Sequence, residues 1–244
     1  MILIMEMYEY KTRIEFCDID ENNKLSSKGL LRILGEAAGV HSETVGYGLN
    51  HMPQTHLTWM LLNWKIKFFI KPCWNTELLV KTWARSFSKV SSNRDFTVYD
   101  NNNNLVAKAT SKWVLIASEK FTPVKLTEEI RNTFGEYNSS VFDTEVNDKE
   151  KEPESSKFVY DYQIKRRDID TNHHVNNLYY LDFAYDTLPK DFWEVSFDNI
   201  EIIYKKQIRL DDTIKCFYAY DNNQHIVTIK SEDLSVVHAI VKFY

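Results

Sequence analysis

Cysteine is scarce in this sequence: Cys17, Cys73 and Cys216 are the only three, and no two form a CxxC pair. That count gives no disulfide framework and no thiolate metal cage, and it reads as free thiols in a reducing cytoplasm. No stretch is apolar for the length of a membrane span. The apolar opening MILIMEMY is too short for a signal core and lacks a basic flank and a cleavage site. Positive charge is not in excess either. The formal net charge of −5 argues against nucleic acid as a partner. Gly and Pro are few, six and five, as in an ordinary globular chain. His41, His51, His56, His225 and His238 show no metal-ligand spacing, so neither a metal nor another cofactor is expected.

What is abundant is apolar and aromatic material, 43% and 14% of residues, enough to build a sizeable core. It is organised as a repeat. Residues 18–27 read DIDENNKLSS and residues 168–177 read DIDTNHHVNN, so that at an offset of 150 Asp18, Ile19, Asp20 and Asn22 match Asp168, Ile169, Asp170 and Asn172. Each copy follows an alternating, strand-like segment, Tyr8 to Phe16 or Phe158 to Arg166. Each precedes a helical pattern. In the first, Leu30, Ile33, Leu34, Ala37 and Ala38 recur at helical spacing behind Ser26 or Ser27 as cap. In the second, Leu178, Leu181, Tyr185 and Leu188 do so behind Asn176 or Asn177.

Strand patterns follow each helix. The first set is Trp64–Ile70, Glu77–Phe87, Asn93–Tyr99 and Leu105–Ile116, with a turn at Asp100 to Asn104. The second set is Ile200–Tyr204, Thr213–Tyr220, His225–Lys230 and Leu234–Tyr244, with a turn at Asp221 to Asn223. Each half therefore reads as strand, loop, helix and antiparallel meander, an α+β unit in which a sheet wraps one long helix. The expected division is a module over 1–134, a polar linker over 135–156 and a second module over 157–244, with the boundary near residue 150.

Only the second copy is rich in chemistry. Asp170, Asn172, His173, His174, Asn176 and Asn177 fall within eight residues, whereas the first copy has Lys24 in place of His174 and Ser26 and Ser27 in place of the two asparagines. Singly, Asp and Asn before a helix are caps and turn formers, and a His there is commonly structural. Together they offer a carboxylate and imidazoles that can activate water, beside helix-terminal amides that can hold an oxyanion. One emptied copy suggests that one half binds and the other reacts.

The string D-x-N-x-H-V-N-N-x-x-Y over Asp170 to Tyr180, preceded by Arg166, Arg167 and Asp168, resembles the signature of the acyl-ACP thioesterases, and the resemblance runs over nearly the whole chain. It includes E-A-A-x-x-H (Glu36 to His41), P-x-W-x-T-E-L-x-V-x-T-W (Pro72 to Trp83), R-D-F-x-V-x-D (Arg94 to Asp100) and A-x-S-x-W-V (Ala109 to Val114). It implies two tandem hotdog modules, the first binding the acyl chain and the second catalytic. The implied reaction hydrolyses fatty acyl-ACP to free fatty acid and holo-ACP, ending fatty acid synthesis. Asp170, Asn172 and His174 would be catalytic, and Asp168 would support the loop.

The chain departs from the plant pattern Y-R-R-E-C, which here reads Tyr204, Lys205, Lys206, Gln207, Ile208. Without the Cys, a Cys–His–Asn scheme cannot operate there. Gln207 can orient a water but cannot take its proton, which leaves His174 or Asp170 as the base. Candidates for the acyl pocket are Ala37, Ala38, Val40, Trp59, Leu61 and Trp64. The implied partner is acyl carrier protein, an acidic protein. The basic groups Lys65, Lys67, Lys71; Lys165, Arg166, Arg167; and Lys205, Lys206, Arg209 could steer it. An exposed strand edge also allows a homodimer. The competing readings are an acyl-CoA thioesterase, another hotdog enzyme such as a dehydratase, and a non-catalytic acyl-binding protein. Thiol release, enoyl formation and binding without turnover tell them apart.

Overall fold

The structure, a computed structural model, describes residues 7–244; Met1–Glu6, most of the apolar opening, lie outside the described residues. The chain forms two compact units. One holds the described residues up to Leu62 together with Ile66–Glu145, and the other holds Asn63–Lys65 and Val146–Tyr244.

In the first unit, β1 (Tyr8–Arg13) leads through a 3-10 turn at Phe16–Asp18 to α1 (Ser27–Thr44). A short α2 (Met52–Thr55) precedes β2 (Leu57–Phe68), β3 (Glu77–Phe87), β4 (Ser91–Asp100), β5 (Leu105–Ala117), the two-residue β6 (Thr122–Pro123) and α3 (Glu128–Phe134). The sheet order is β1-β3-β4-β5-β2, with β6 against β5. Of the two candidate caps it is Ser26 that begins α1, its hydroxyl accepting from the Gly29 amide at 3.0 Å. One face of α1 is buried through Leu30, Leu31, Ile33, Leu34, Ala37, Ala38 and His41, the 3.6-residue period the sequence shows. Each fully buried Leu or Ile contributes about 1.5–3 kcal/mol. Gly29 is required by close approach, because a Cβ there would lie 2.2 Å from the Asp18 carbonyl oxygen.

The second unit repeats this order with β7 (Lys157–Gln163), a 3-10 turn at Arg166–Asp168, α4 (Tyr179–Thr187), β8 (Asn199–Tyr204), β9 (Thr213–Asp221), β10 (Gln224–Ser231) and β11 (Val237–Phe243). Its sheet order, β7-β9-β10-β11-β8, is the permutation of the first unit. Arg13 pairs with Glu77 in one unit and Gln163 pairs with Thr213 in the other, so the offset between copies drops from 150 to 136 across the helix. The shortfall reflects α4, nine residues against eighteen in α1, and a first-unit extension through α2.

The helix start also differs from expectation. Neither Asn176 nor Asn177 is the cap residue of α4; Leu178 is, with no side-chain cap bond. The reason lies in the repeat. Tyr179 stands at the position of Gly29, and a side chain there cannot enter the close approach that Gly29 makes to the loop. β2 begins at Leu57, earlier than the alternation from Trp64 predicts, because LTWMLLN has no period of two. The last strand begins at Val237, and Leu234 sits in a turn at φ 64°.

Residues 135–156 hold no helix or strand, yet they are not free in water. Within the first unit the Trp83 indole donates to the Ser139 carbonyl at 2.9 Å, the Val141 amide donates to Asp95 at 2.9 Å, and Arg85 pairs with Glu145. Within the second, Lys230 and Lys242 hold Glu152 and Glu150 at 2.8 and 3.2 Å.

Candidate active site

The loop between β7 and α4 is set by its backbone. The Asp170 amide donates to the His174 carbonyl at 2.9 Å, the His173 amide to the Asp170 carbonyl at 3.1 Å, and the Asn172 amide to Asp170 Oδ1 at 2.8 Å. His173 takes a left-handed conformation, φ 62°, to close the turn. Two further bonds anchor the loop: the Asn176 amide on the Asp168 carbonyl at 2.8 Å, and the Val175 amide on the Ile208 carbonyl at 2.9 Å. Asp168 is buried and holds the base of the loop, its carboxylate accepting from the Tyr162 hydroxyl at 3.0 Å and the Lys165 amide at 2.8 Å.

The first copy folds the same way around different side chains. The Asp20 amide donates to the Lys24 carbonyl at 2.8 Å, the Asn23 amide to the Asp20 carbonyl at 3.1 Å, and the Leu25 amide to the Pro72 carbonyl at 2.7 Å. Pro72 thus matches Ile208, and Lys71 and Cys73 match Gln207 and Arg209. Lys24 Nζ reaches Cys73 Sγ at 3.4 Å where the second copy sets His174 near Arg209.

Asp170 and His174 are half-buried; Asn172 and Gln207 are exposed. Burial lowers the His174 pKa below the ordinary imidazole value, the Asp170 charge raises it, and Arg209 and His173 lower it again. The imidazole is therefore neutral near pH 7 and able to accept a proton. The loop brings Asp170, Asn172 and His174 into one turn, and the Val175–Ile208 bond brings the Gln207 segment alongside. Two amides at the start of α4, of Leu178 and Tyr179, go to Asn176, each at 2.9 Å. Those two amides are therefore not open to an oxyanion.

Three residues outside the expected site set support this loop. The Tyr204 hydroxyl donates to the Asn177 carbonyl at 3.1 Å, and its ring meets Tyr180 edge-on at 5.2 Å. Tyr180 is buried, hydrogen-bonds the backbone of Ile208 and has its pKa raised, chiefly by burial. His238 is buried too, its Nδ1 3.0 Å from the Lys206 carbonyl beneath Gln207. Of these, Tyr180 and Tyr204 had a signal, as the last position of the motif and as the first of the stretch Tyr204 to Ile208.

The first unit contains a cavity of about 450 Å³. Ala38, Val40 and Trp59 line it, with Phe87, Trp113 and Phe134. Ala37 and Leu61 are buried in the core rather than on its wall, and Trp64, also buried, groups with the second unit. Of the basic groups, Lys65 is paired with Glu201 at 3.4 Å, Lys205 donates to the Asp148 carbonyl at 3.3 Å, and Arg166 and Arg167 are exposed. One trio of potential metal-ligand atoms lies together among the described residues, on Glu15, Cys17 and Asp18. Both Asp18 oxygens are engaged by Arg32, at 2.5 and 2.6 Å, so the trio is poorly suited to an ion.

Two copies of one sheet-and-helix unit, with the chemically equipped loop in the second, define a double hotdog protein. The sequence matches the acyl-ACP thioesterase N-terminal domain over residues 5–134 and the acyl-ACP thioesterase C-terminal domain over residues 151–242. The chain belongs to the acyl-ACP thioesterase family. It is 22% identical over 227 residues to the chloroplastic oleoyl-acyl carrier protein thioesterase of Coriandrum sativum, covering 85% of this chain and 61% of that protein. It is 24% identical over 211 residues to the chloroplastic dodecanoyl-[acyl-carrier-protein] hydrolase of Cinnamomum camphora, covering 81% and 55%. The chain thus spans less than two thirds of the length of these curated relatives. Its fold is shared with an acyl-ACP thioesterase from Bacteroides thetaiotaomicron, TM-score 0.86 at 22% identity over 97% and 96% of the two chains. It is shared also with the 12:0-ACP thioesterase from Umbellularia californica, TM-score 0.81 at 18% identity over 97% and 96%. No helix among the described residues is long and apolar enough to cross a membrane.

Proposed function

We propose that this chain hydrolyses fatty acyl thioesters of acyl carrier protein, releasing free fatty acid and holo-ACP, and so ends fatty acid synthesis in a reducing cytoplasm. The observation that carries the reading is His174, an imidazole kept neutral by burial, beside Asp170 in the copy of the loop whose counterpart holds Lys24. In the proposed reaction His174 takes a proton from water while the water oxygen attacks the thioester carbonyl. The Asp170 charge favours the imidazolium that forms. Asn172 donates to the oxygen that becomes negative. Collapse of the tetrahedral intermediate breaks the C–S bond, and the proton passes from His174 to the departing thiolate. Gln207 orients the water through its carboxamide.

In this reading the module over 1–134 holds the acyl chain, the module over 157–244 carries the reaction, and 135–156 joins them. Ala38, Val40 and Trp59 supply chain contacts, with Ala37 and Leu61 behind them, and Trp64, in the second unit, is left out of the pocket. The exposed Arg166 and Arg167 and the Lys206 and Arg209 charges suit an acidic carrier protein. Pairing of two copies through the outer strands β1 or β7 is compatible with it, and sedimentation of the purified chain reads that directly.

The test is thiol release from a panel of acyl-ACPs and acyl-CoAs by the wild type and by Asp170→Asn, which keeps an acceptor for the Asn172 amide. Release from acyl-ACP by the wild type, reduced about 100-fold or more in the variant, supports the reading. No release from any thioester by a folded chain overturns it.

A further inference from the structure

Among the described residues, no carboxylate balances the cation held in the cavity of the first unit. Arg94 lines it and is only 6% exposed. One terminal nitrogen, Nη1, carries both of its hydrogen bonds to side chains, to Thr82 Oγ1 at 3.1 Å and to His41 Nδ1 at 2.9 Å. No acid pairs with it among the described residues. Its neighbour Asp95 sits on the opposite face of β4, as strand alternation requires, and is taken by Arg85 at 3.1 Å, Thr110 at 2.6 Å and the Val141 amide at 2.9 Å. The partner His41 is buried and brings no negative charge.

Other polar atoms are left over at the same place. Among the described residues, Trp59, on the cavity wall, has a buried Nε1 with no partner, and the Nε2 of His41 has none either. The carboxylates of the wall are otherwise occupied. Glu36 is exposed to water, and Glu43 accepts from the Asn50 amide at 3.3 Å and pairs with His51 at 3.2 Å. The rest of the wall is mostly apolar, with Val40, Phe87 and Phe134 beside the uncharged polar Ser42, Thr58 and Ser92, and room is kept by Gly35 and Gly39, where an added Cβ would meet nothing within 4 Å. An apolar cavity with a buried, unbalanced guanidinium is stabilised by a ligand that brings an aliphatic body and one anionic head, since an unpaired buried charge is costly and a carboxylate matches the guanidinium fork.

We propose that the first-unit cavity takes an aliphatic chain ended by a carboxylate, with the carboxylate on Arg94. This rests on the reading of the cavity as the acyl-holding site and adds to it a polar end. Two sources share that chemistry: a free fatty acid, and the far carboxylate of a dicarboxylic acyl thioester.

The test is calorimetric titration of the intact chain at pH 8 with dodecanoate and with dodecan-1-ol, followed by turnover of dodecanedioyl-ACP against dodecanoyl-ACP. Dodecanoate binding at least about 10-fold tighter than the alcohol, with the preference lost in Arg94→Met, supports the proposal. Faster turnover of the dicarboxylic thioester supports it with the ω-carboxyl as source, and its absence alongside acid-selective binding supports it with free fatty acid as source. Equal binding of acid and alcohol overturns it and leaves the acyl reading standing; no binding of either overturns both the proposal and the acyl-holding site. Should Arg94→Met fail to fold, Arg94→Lys serves. It keeps the charge without the fork, and an unchanged alcohol affinity with weaker dodecanoate binding is then the supporting result, an unchanged preference the overturning one.

Discussion

The amide of Asp170 donates to the carbonyl of His174 at 2.9 Å, and at the matching place the amide of Asp20 donates to the carbonyl of Lys24 at 2.8 Å. The loop is thus closed by backbone, whichever side chain stands at its fifth position. Chemistry and fold are separable there. His174→Lys, which copies the first unit, should leave the unfolding midpoint nearly unchanged and lower thioester hydrolysis about 100-fold or more. Parallel thiol-release and denaturation curves check this, and a fully active His174→Lys chain would remove His174 from the mechanism.

Burial lowers the pKa of His174. A base must be deprotonated to act, and a lowered pKa keeps it so at more acid pH. The acid limb of kcat/KM should therefore fall below the ordinary imidazole value of about 6.5 rather than above it. The profile of wild type beside Asp170→Asn gives the sign of the second effect: loss of the carboxylate charge should move the limb further to acid, because Asp170 raises this pKa.

Two glycines of α1 should respond oppositely to one methyl group. At Gly29 the added Cβ would strike the Asp18 backbone, 2.2 Å from its carbonyl oxygen, so Gly29→Ala should destabilise by about 2 kcal/mol or more. At Gly35 the Cβ meets open space, so Gly35→Ala should stabilise by up to about 1 kcal/mol through helix propensity. Urea unfolding measures both.

Acid should loosen the first unit through His41. Burial, and then the Arg94 charge, lower its pKa to about 3. Between the unfolded value near 6.5 and that folded value, the unfolded chain binds a proton that the folded chain refuses. The stability this gives is complete above pH 6.5 and is lost as pH falls. On going from pH 7 to pH 5, wild type should lose about 2 kcal/mol more than His41→Gln. Equal losses in the two proteins would show that His41 does not titrate this way.

Much of the fold is legible in the sequence because it is local. The repeated DID loop, the alternation of Glu77–Phe87 and the heptad-like stripe of α1 each need only neighbouring residues to be recognised, and β3 lies where the alternation places it. The α3 helix was missed although Thr127 caps it, accepting from the Ile130 amide at 3.3 Å, and Gly135 ends it at φ 68°. Its seven residues give too short a period to stand out.

The duplicated architecture, and which copy carries Asp170, Asn172 and His174, follow from residue identity and spacing along the chain, which are all that such a loop requires. Tertiary structure decided the rest. The Arg94–His41 contact joins residues 53 apart in sequence. The cavity beside it is walled by residues from α1, β2, β3, β4, β5 and α3. Whether a charge is balanced, or an imidazole neutral, depends on which groups surround it and how much water they exclude. Those surroundings are assembled from distant parts of the chain, so no local pattern records them.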